Sequence, residues 1–255
     1  MFLVNFIQNL FTSFLSELGG FLMTFAQGVR ALFVRPYRIR LIFKECESIG
    51  VNSSFIIILT GIFTGAVLAL QSGKAFRLFN AEGVTGAVVA LSLFRELGPV
   101  MSSLMVAARC GSAMAAQIGT MRVTQQIDAL EVMAVNPISY LIASRVAASF
   151  LMLPLLTIVF NVAGILGSYI ISVGLLEINE ATFFDKMQVY VKDEDLWNGI
   201  QKAAVFGIII AVVGCRKGFL TSGGAEGVGH STTQAVVIAS VSILVADYFL
   251  TALMF

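Results

Sequence analysis

Long apolar runs separated by short charged segments dominate the hydropathy pattern of this chain. No charged residue occurs between Ser48 and Gly73, and a second uncharged run extends from Val146 to Leu176. A membrane-spanning helix needs about 20 predominantly apolar residues, so each run is long enough to cross a bilayer. The pattern predicts an all-α integral membrane protein with five transmembrane helices. The predicted spans are 51–71, 84–108, 146–176, 198–215 and 231–255.

Three local features modify these spans. The uncharged run before Glu177 exceeds one bilayer width, so the third span is expected to be long, tilted or kinked near Pro154. Gly61 and Gly65 form a small-xxx-small pair, which permits close helix packing but is frequent by chance in apolar helices. Pro99 removes a backbone hydrogen bond, so a kink is expected in the second span.

The first thirty residues are amphipathic rather than uniformly apolar. Their apolar side chains recur at helical spacing, and polar side chains fill the other face. A helix of this kind lies in the membrane interface, so an interfacial helix is predicted over 1–30. The alternative is a poor spanning helix. The apolar positions are Phe6, Ile7, Leu10, Phe14, Leu18, Phe21, Leu22, Phe25 and Val29.

Basic residues predict how the spans are oriented. A basic segment from Arg30 to Lys44 follows the first helix, and further basic residues follow the second and fourth spans. By the positive-inside rule these segments are cytoplasmic. The loop 74–82 and the acidic segment 177–195 then lie outside, and so does the C terminus. No basic residue precedes Arg30, so no cleavable signal peptide is expected.

The composition agrees with a polytopic membrane protein. Hydrophobic residues make up 58% of the chain and charged residues 12%, and the mean hydropathy is +0.91. A soluble domain carries about 25% charged residues, so this composition excludes a soluble enzyme and a disordered chain. The net charge of +1 gives no global field that would attract a nucleic acid.

Motifs for metal or nucleotide binding are weak. The three cysteines lack the spacing of a metal site, and His230 has no second His or Cys nearby, so no metal is expected. No GxxxxGK[ST] sequence occurs, so another chain would have to hydrolyse any ATP that drives this protein. The Gly-rich run 223–229 contains Glu226, which would repel phosphate. A tight inner turn is predicted there, with residues 231–233 capping the fifth span.

Arg95, Glu96 and Asp247 are ionisable residues inside apolar segments. A charge at the centre of a spanning helix costs about 2.5–3.5 kcal/mol, so such residues face protein, a cavity or a ligand. Arg95 lies near the middle of the second span, and adjacent helical residues point roughly 100° apart, so Glu96 is a poor partner for it. Asp247, a second copy of the chain or a lipid phosphate remain as partners. The three residues form either a substrate site or a structural clamp.

The inner segment 109–137 is more polar than the spans and is predicted to form short helices along the membrane. Thr124 is a candidate cap for a helix that presents Ile127, Leu130 and Met133 on one face. An apolar stripe at the cytoplasmic surface suggests a docking surface for a soluble partner. The alternative is packing against the spans of the protein itself.

Four stretches resemble the MlaE permease family, and the similarity covers nearly the whole chain from about residue 48 onward. The stretch over 95–137 is long and specific. These sequences are ALSLFRELGPV at 90–100, AARCGSAMAAQIGTMRVTQQIDALEVMAVNP at 107–137, and GGAEGVGHSTTQAVV at 223–237 with DYFLTALMF at the C terminus.

The resemblance implies a permease subunit of an ATP-driven transporter that maintains outer-membrane lipid asymmetry from the bacterial inner membrane. The implied partners are a second copy of the chain, a cytoplasmic ABC ATPase that binds ATP and Mg²⁺, a STAS-domain protein and a periplasmic MCE-domain hexamer. Phospholipid would occupy a cavity lined by Arg95 and Glu96, with Asp247 as a third candidate. The candidate ATPase-coupling residues are Arg122, Ile127, Asp128, Leu130 and Glu131.

A secondary transporter that uses Glu96 and Asp247 as a proton relay is the alternative function. Inverted repeats are typical of many such transporters, and none is evident in this sequence. A purely structural scaffold is disfavoured, because three charges inside apolar segments would be an expensive way to build one.

Overall fold

The computed structural model of the chain describes the backbone over 2–32 and 38–254, and side chains at 12, 15–17, 19–31 and 38–254. The described residues are 91% helical and contain no strand. We number eight helices along this part of the chain. They are α1 (Phe2–Leu32), α2 (Ile39–Arg77), α3 (Glu82–Val123), α4 (Gln126–Val132), α5 (Ile138–Gly174), α6 (Glu180–Tyr190), α7 (Asp193–Phe219) and α8 (Gly224–Met254).

Five of the described helices, α2, α3, α5, α7 and α8, are long and apolar enough to cross a membrane. The prediction of five spans preceded by an N-terminal helix is therefore confirmed. The helices extend past the predicted spans at their ends. Helix α2 contains 39 residues, which is about 58 Å at the rise of an α-helix. Because it begins at Ile39, Arg40 and Lys44 lie in its first turns. Helix α5 continues past Pro154 to Gly174.

Helix α3 differs from the prediction at its inner end. Residues 109–123, which were expected to lie along the membrane, continue the spanning helix. The charge of Arg109 does not force a loop, because its Nη1 donates to the Ser53 hydroxyl (2.8 Å) and the Ser48 carbonyl (3.0 Å) on α2. Thr124 does not cap α4, since its hydroxyl donates to the Thr120 carbonyl. Gln125, at a φ of 59°, makes the turn instead.

The close approach of α2 and α5 depends on glycine. A Cβ on Gly65 would lie 1.8 Å from the Gly164 carbonyl oxygen, and a Cβ on Gly61 would lie 2.8 Å from that of Phe160. A Cβ on Gly167 would likewise lie 2.0 Å from the Ile62 carbonyl oxygen. The small-residue pair in the first span therefore lets two backbones touch.

The tight turn predicted in the Gly-rich run is present, whereas the capping of the fifth span and the acidic segment differ from the prediction. Gly223 and Gly224, at φ of 88° and 70°, make the turn between α7 and α8. Helix α8 begins at once, so residues 231–233 lie inside it and do not cap it. The acidic segment 177–195 is not an open loop, because it contains α6 and the start of α7.

Helix α1 packs against the inner ends of α5 and α7. Its Glu17 pairs with Lys217, and Arg216 lies 5.3 Å from the centre of the Phe21 ring. Leu22 and Met23 remain about two-thirds exposed, which suits a helix with one face on lipid. The predicted apolar positions Phe6, Ile7, Leu10, Phe14 and Leu18 lie outside the described side chains.

Cysteine labelling tests the predicted orientation. In a chain whose native cysteines are replaced, Asp193→Cys at the exposed start of α7 should react with a membrane-impermeant reagent added from the periplasm. Arg38→Cys, at the basic end of α2, should stay unlabelled until the membrane is permeabilised. The reverse pattern would contradict the predicted topology.

Candidate functional site

A lysine with no exposed side-chain surface joins three of the spanning helices. Lys202 of α7 donates from Nζ to Glu96 Oε2 of α3 (2.8 Å) and to the Thr251 hydroxyl of α8 (2.8 Å). It also donates to the backbone carbonyl of Arg95 at 3.1 Å. An ammonium group has three N–H donors, and these three acceptors match them. We call Arg95, Glu96, Asp195, Lys202, Asp247 and Thr251 the outer cluster.

The backbone of α3 is shaped for this lysine. Residues Leu93–Leu97 form a π-helical turn, followed by Pro99 in the first turn of the next α-helical stretch. In a regular helix the Arg95 carbonyl would accept from the N–H of residue 99, but proline has none. Lys202 Nζ occupies that position, so the irregularity expected at Pro99 provides an acceptor for a charge on a neighbouring helix.

Two carboxylates balance Lys202. Asp247 Oδ1 lies 3.2 Å from Nζ, at ion-pair distance but without hydrogen-bond alignment. The Thr251 hydroxyl donates to the Asp247 carbonyl (2.8 Å) and lies 3.2 Å from Glu96 Oε1. The sequence-predicted residues Glu96 and Asp247 are thus brought together, through a lysine and a threonine.

Arg95 forms a second ion pair at the edge of the cluster. Its Nε donates to Asp195 Oδ1 at 2.7 Å, and Asp195 Oδ2 accepts from the Lys192 backbone N–H at 3.0 Å. The Asp195 side chain is 3% exposed, whereas that of Arg95 is 40% exposed. The expectation that Asp247, another copy or a lipid must neutralise Arg95 is therefore wrong, because α7 supplies an anion.

The outer cluster has an open side and an excess of negative charge. Glu96 is 37% exposed while Lys202 is fully buried. The cluster contains two cations and three carboxylates, which leaves one formal negative charge. Lys202 lies nine residues into α7, or about 14 Å from its start, and Thr251 lies near the end of α8. The cluster therefore lies nearer the start of α7 and the end of α8 than their middle, which is the outer side in the predicted topology.

Lys202, Asp195 and Thr251 are the members of the outer cluster that were not predicted from the sequence. Lys202 falls within the first five residues of the predicted fourth span, where a lysine can extend its ammonium to water. Asp195 stands among acidic neighbours in a segment expected to be a loop. The available signal was that Lys202 is the one charged residue between Asp195 and Arg216, the same criterion that selected Arg95.

The structure places the candidate coupling residues around α4 but not on one open face. Arg122 Nη1 pairs with Asp128 Oδ1 at 2.6 Å, with both side chains about half exposed. Ile127 is buried at 2% exposure, and Leu130 packs against the core. For these two residues the alternative of packing against the protein itself is correct. The exposed apolar residues are Val132 (88%) and Met133 (64%), and Glu131 is also exposed.

Comparison with known proteins agrees with this architecture. Residues 42–253 match the permease MlaE family. The chain is 39% identical to a probable ABC transporter permease of Rickettsia conorii over 99% of this chain and 98% of that protein. It is 42% identical to a probable ABC transporter permease of Synechocystis over 83% and 81% of the two chains.

A further relative has a more specific name. The chain is 40% identical to the intermembrane phospholipid transport system permease MlaE of Haemophilus influenzae, over 84% of this chain and 83% of that protein. Five described helices that are long and apolar enough to cross a membrane, together with a family match over most of the chain, lead to one conclusion: this multi-pass membrane protein belongs to the MlaE permease family.

Proposed function

We propose that this chain is the membrane subunit of an ATP-driven transporter that moves phospholipid between the bacterial inner membrane and a periplasmic carrier, and so maintains outer-membrane lipid asymmetry. Family membership supports the permease role, and the Haemophilus relative is named for phospholipid transport. The observation in this chain that carries the proposal is the outer cluster, a charged site within apolar helices with Arg95 and Glu96 partly exposed.

Within this site, Arg95 is the residue suited to a lipid phosphate. The donors of Lys202 are taken by protein acceptors, and the fully buried ammonium offers no surface to a ligand. Arg95 is held by Asp195 through Nε while two-fifths of its side chain stays exposed. A planar guanidinium can form paired charge-assisted hydrogen bonds with phosphate. Glu96 and Asp247 then serve to position Lys202 and to shape the site.

The proposal includes partners for the remaining surfaces. A second copy of the chain would cover the outward face of α8, whose exposed apolar residues recur at helical spacing. These residues are Val237, Val241, Leu244, Val245 and Tyr248. A cytoplasmic ABC ATPase, itself joined by a STAS-domain protein, would hydrolyse ATP with Mg²⁺ and contact the inner end near α4. An MCE-domain hexamer would receive lipid on the outer side.

The arrangement of the carboxylates disfavours the alternative of a proton-coupled transporter. Glu96 and Asp247 contact the same ammonium group, so they lie at one depth of the helix bundle. A relay across the membrane would need titratable groups at successive depths. Charged residues at one depth can hold a lipid head group, but they do not provide a path for a proton across the membrane.

Substitution of one exposed residue tests the proposed ATPase contact. Val132→Asp places a charge on the last residue of α4, where the native side chain is 88% exposed. We expect normal membrane insertion and melting temperature but loss of the ATPase that co-purifies with the tagged wild-type chain. Purified wild-type complex should also contain phospholipid, identified by mass spectrometry.

A matched control uses the opposite end of the molecule. Val189→Asp places the same charge on α6, where the native side chain is 74% exposed, and should leave ATPase recovery unchanged. Full ATPase recovery with Val132→Asp would show that the coupling surface lies elsewhere. If the wild-type chain purifies with neither an ATPase nor phospholipid, the proposed function is wrong.

A further inference from the structure

A second polar cavity lies at the other end of the molecule, between the inner ends of α2, α3 and α5. Its volume is about 640 Å³, within the usual range of ligand pockets. Lys44, Glu45, Gln117, Met121, Tyr140 and Arg145 are among its lining residues. Gln117 lies 22 residues beyond Arg95 along α3, or roughly 30 Å at the rise of an α-helix. This cavity, here called the inner pocket, is therefore separate from the outer cluster.

The inner pocket carries an incompletely satisfied buried cation. Arg145 is 5% exposed; its Nη1 donates to the Leu141 carbonyl and its Nη2 to Gln117 Oε1, both at 3.0 Å. Its Nε is buried without a hydrogen-bond partner among the described residues. Glu45 Oε1 lies 3.4 Å from Nη2, which is longer than a charge-assisted hydrogen bond. The guanidinium is enclosed by protein, so its contribution to the pocket is its positive charge rather than this N–H.

The lining of the pocket has a positive balance. Lys44 is exposed at its rim, so two cations face the single carboxylate of Glu45. Arg38 stacks over the Tyr140 ring at 4.5 Å and adds a third positive group beside the cavity. An anion is therefore the favoured occupant here.

The depth of the pocket favours a lipid as the source of that anion. The first turns of α5 contact α1 at Gly28. A Cβ added to Gly28 would lie 3.2 Å from the Ile142 side chain and 3.8 Å from the Val146 side chain. Helix α1 has the exposed apolar residues Leu22 and Met23, as expected for a helix at head-group level. Leu141 and Arg145 belong to the same turns of α5 and line the pocket.

We propose that the inner pocket binds the phosphate of an anionic phospholipid from the adjacent leaflet, with Lys44 and Arg145 as its cationic partners. Arg145 supplies a fixed positive charge in the pocket wall, and Lys44 supplies a mobile ammonium group at the rim that can contact the phosphate directly. The hydroxyl of Tyr140 and the amide of Gln117 offer polar contacts to the rest of the head group. This lipid site is additional to the proposed transport site and does not depend on it.

Photocrosslinking from the pocket wall tests this site. Full-length chain with p-benzoylphenylalanine at Met121, together with its co-purifying partners, is placed in phosphatidylcholine nanodiscs that contain a minority of radiolabelled phosphatidylglycerol. Illumination should attach label to the chain. Lys44→Gln should lower the yield roughly tenfold, the loss expected for one hydrogen bond between charged groups. Arg40→Gln removes an exposed cation from the same helix outside the pocket and should leave the yield unchanged.

Lys44 is chosen because Arg145 holds α3 and α5 together and its replacement could unfold the chain. A second chain with p-benzoylphenylalanine at Phe94, which precedes Arg95 in the π-helical turn of α3, reports the outer site. Label at Phe94 without label at Met121 overturns the inner pocket and leaves the proposed function intact. Label at Met121 alone supports the inner pocket and counts against the outer site. A crosslink from Met121 to the ATPase, or label abolished by excess inorganic phosphate, overturns the assignment to lipid.

Discussion

Lys202→Met is expected to destabilise the protein more than any other single change in the outer cluster. The substitution keeps a chain of similar volume but leaves Glu96 and Asp247 side by side without their cation, and the Arg95 carbonyl without its donor. Breaking a buried ion pair costs about 3–5 kcal/mol. Glu96 is partly exposed, so we expect about 3 kcal/mol, measured as a fall in the free energy of unfolding in detergent.

A rescue experiment distinguishes electrostatics from packing. Adding Asp247→Asn to Lys202→Met removes one of the stranded carboxylates, so the double variant should regain part of the lost stability although it carries one more substitution. Lys202→Met with parental stability would show that the buried charge is not needed to hold α3, α7 and α8 together. A double variant that is weaker than both single variants would argue against charge compensation.

Gly65→Ala is expected to have the second-largest effect, although it adds one methyl group. The new Cβ would lie 1.8 Å from the Gly164 carbonyl oxygen, so α2 and α5 would have to move apart. Inserting atoms into a packed interface costs about 1–3 kcal/mol. The separation of the two helices should lower the melting temperature of the purified chain. Because alanine is uncharged, this loss would come from packing alone.

The matched control is Gly174→Ala at the end of α5, where a Cβ meets no atom within 4 Å. Alanine is the better helix former by about 1 kcal/mol in a helix interior, so this variant should be neutral or slightly more stable. Equal melting temperatures for the two alanine variants would contradict the close contact at Gly65.

The spans were predictable because a bilayer imposes a length and a polarity that can be read from the sequence. The run 51–71 lies inside α2, and the glycines in it face α5 as a small-residue pair should. The ends of the helices were harder to predict. Arg109 suggested a loop, yet its guanidinium finds acceptors on α2 and the helix continues to Val123. A charge therefore need not end a spanning helix where a neighbouring helix offers it acceptors.

Half of the outer cluster was predictable by the same reasoning and half was not. Arg95, Glu96 and Asp247 stand out as charges within apolar runs. The partners Lys202 and Asp195 lie near the end of a helix, where sequence cannot distinguish a residue that extends into water from one that turns inward. That distinction depends on how α7 is rotated against α3, which is a property of packing. Ile127 was expected to be an exposed apolar residue of α4, but the structure buries Ile127 and exposes Val132. This difference also depends on how the helix is rotated against its neighbours.

The central claim is that Arg95 binds the phosphate of the transported lipid, and the amount of phospholipid per purified chain tests it most directly. The comparison includes wild type, Arg95→Ala, Arg95→Lys and Arg122→Ala, with the melting temperature measured on each sample. Arg122 is a control cation of similar exposure at the inner end of α3. Arg95→Ala combined with Asp195→Asn removes the carboxylate that the single substitution would strand.

We expect Arg95→Ala to lower bound phospholipid roughly tenfold, Arg95→Lys to restore it in part, and Arg122→Ala to leave it unchanged. The double variant should recover the melting temperature but not the lipid. A chain with Arg95→Ala that retains a normal amount of phospholipid and melts at a lower temperature would contradict the claim and make Arg95 a structural clamp.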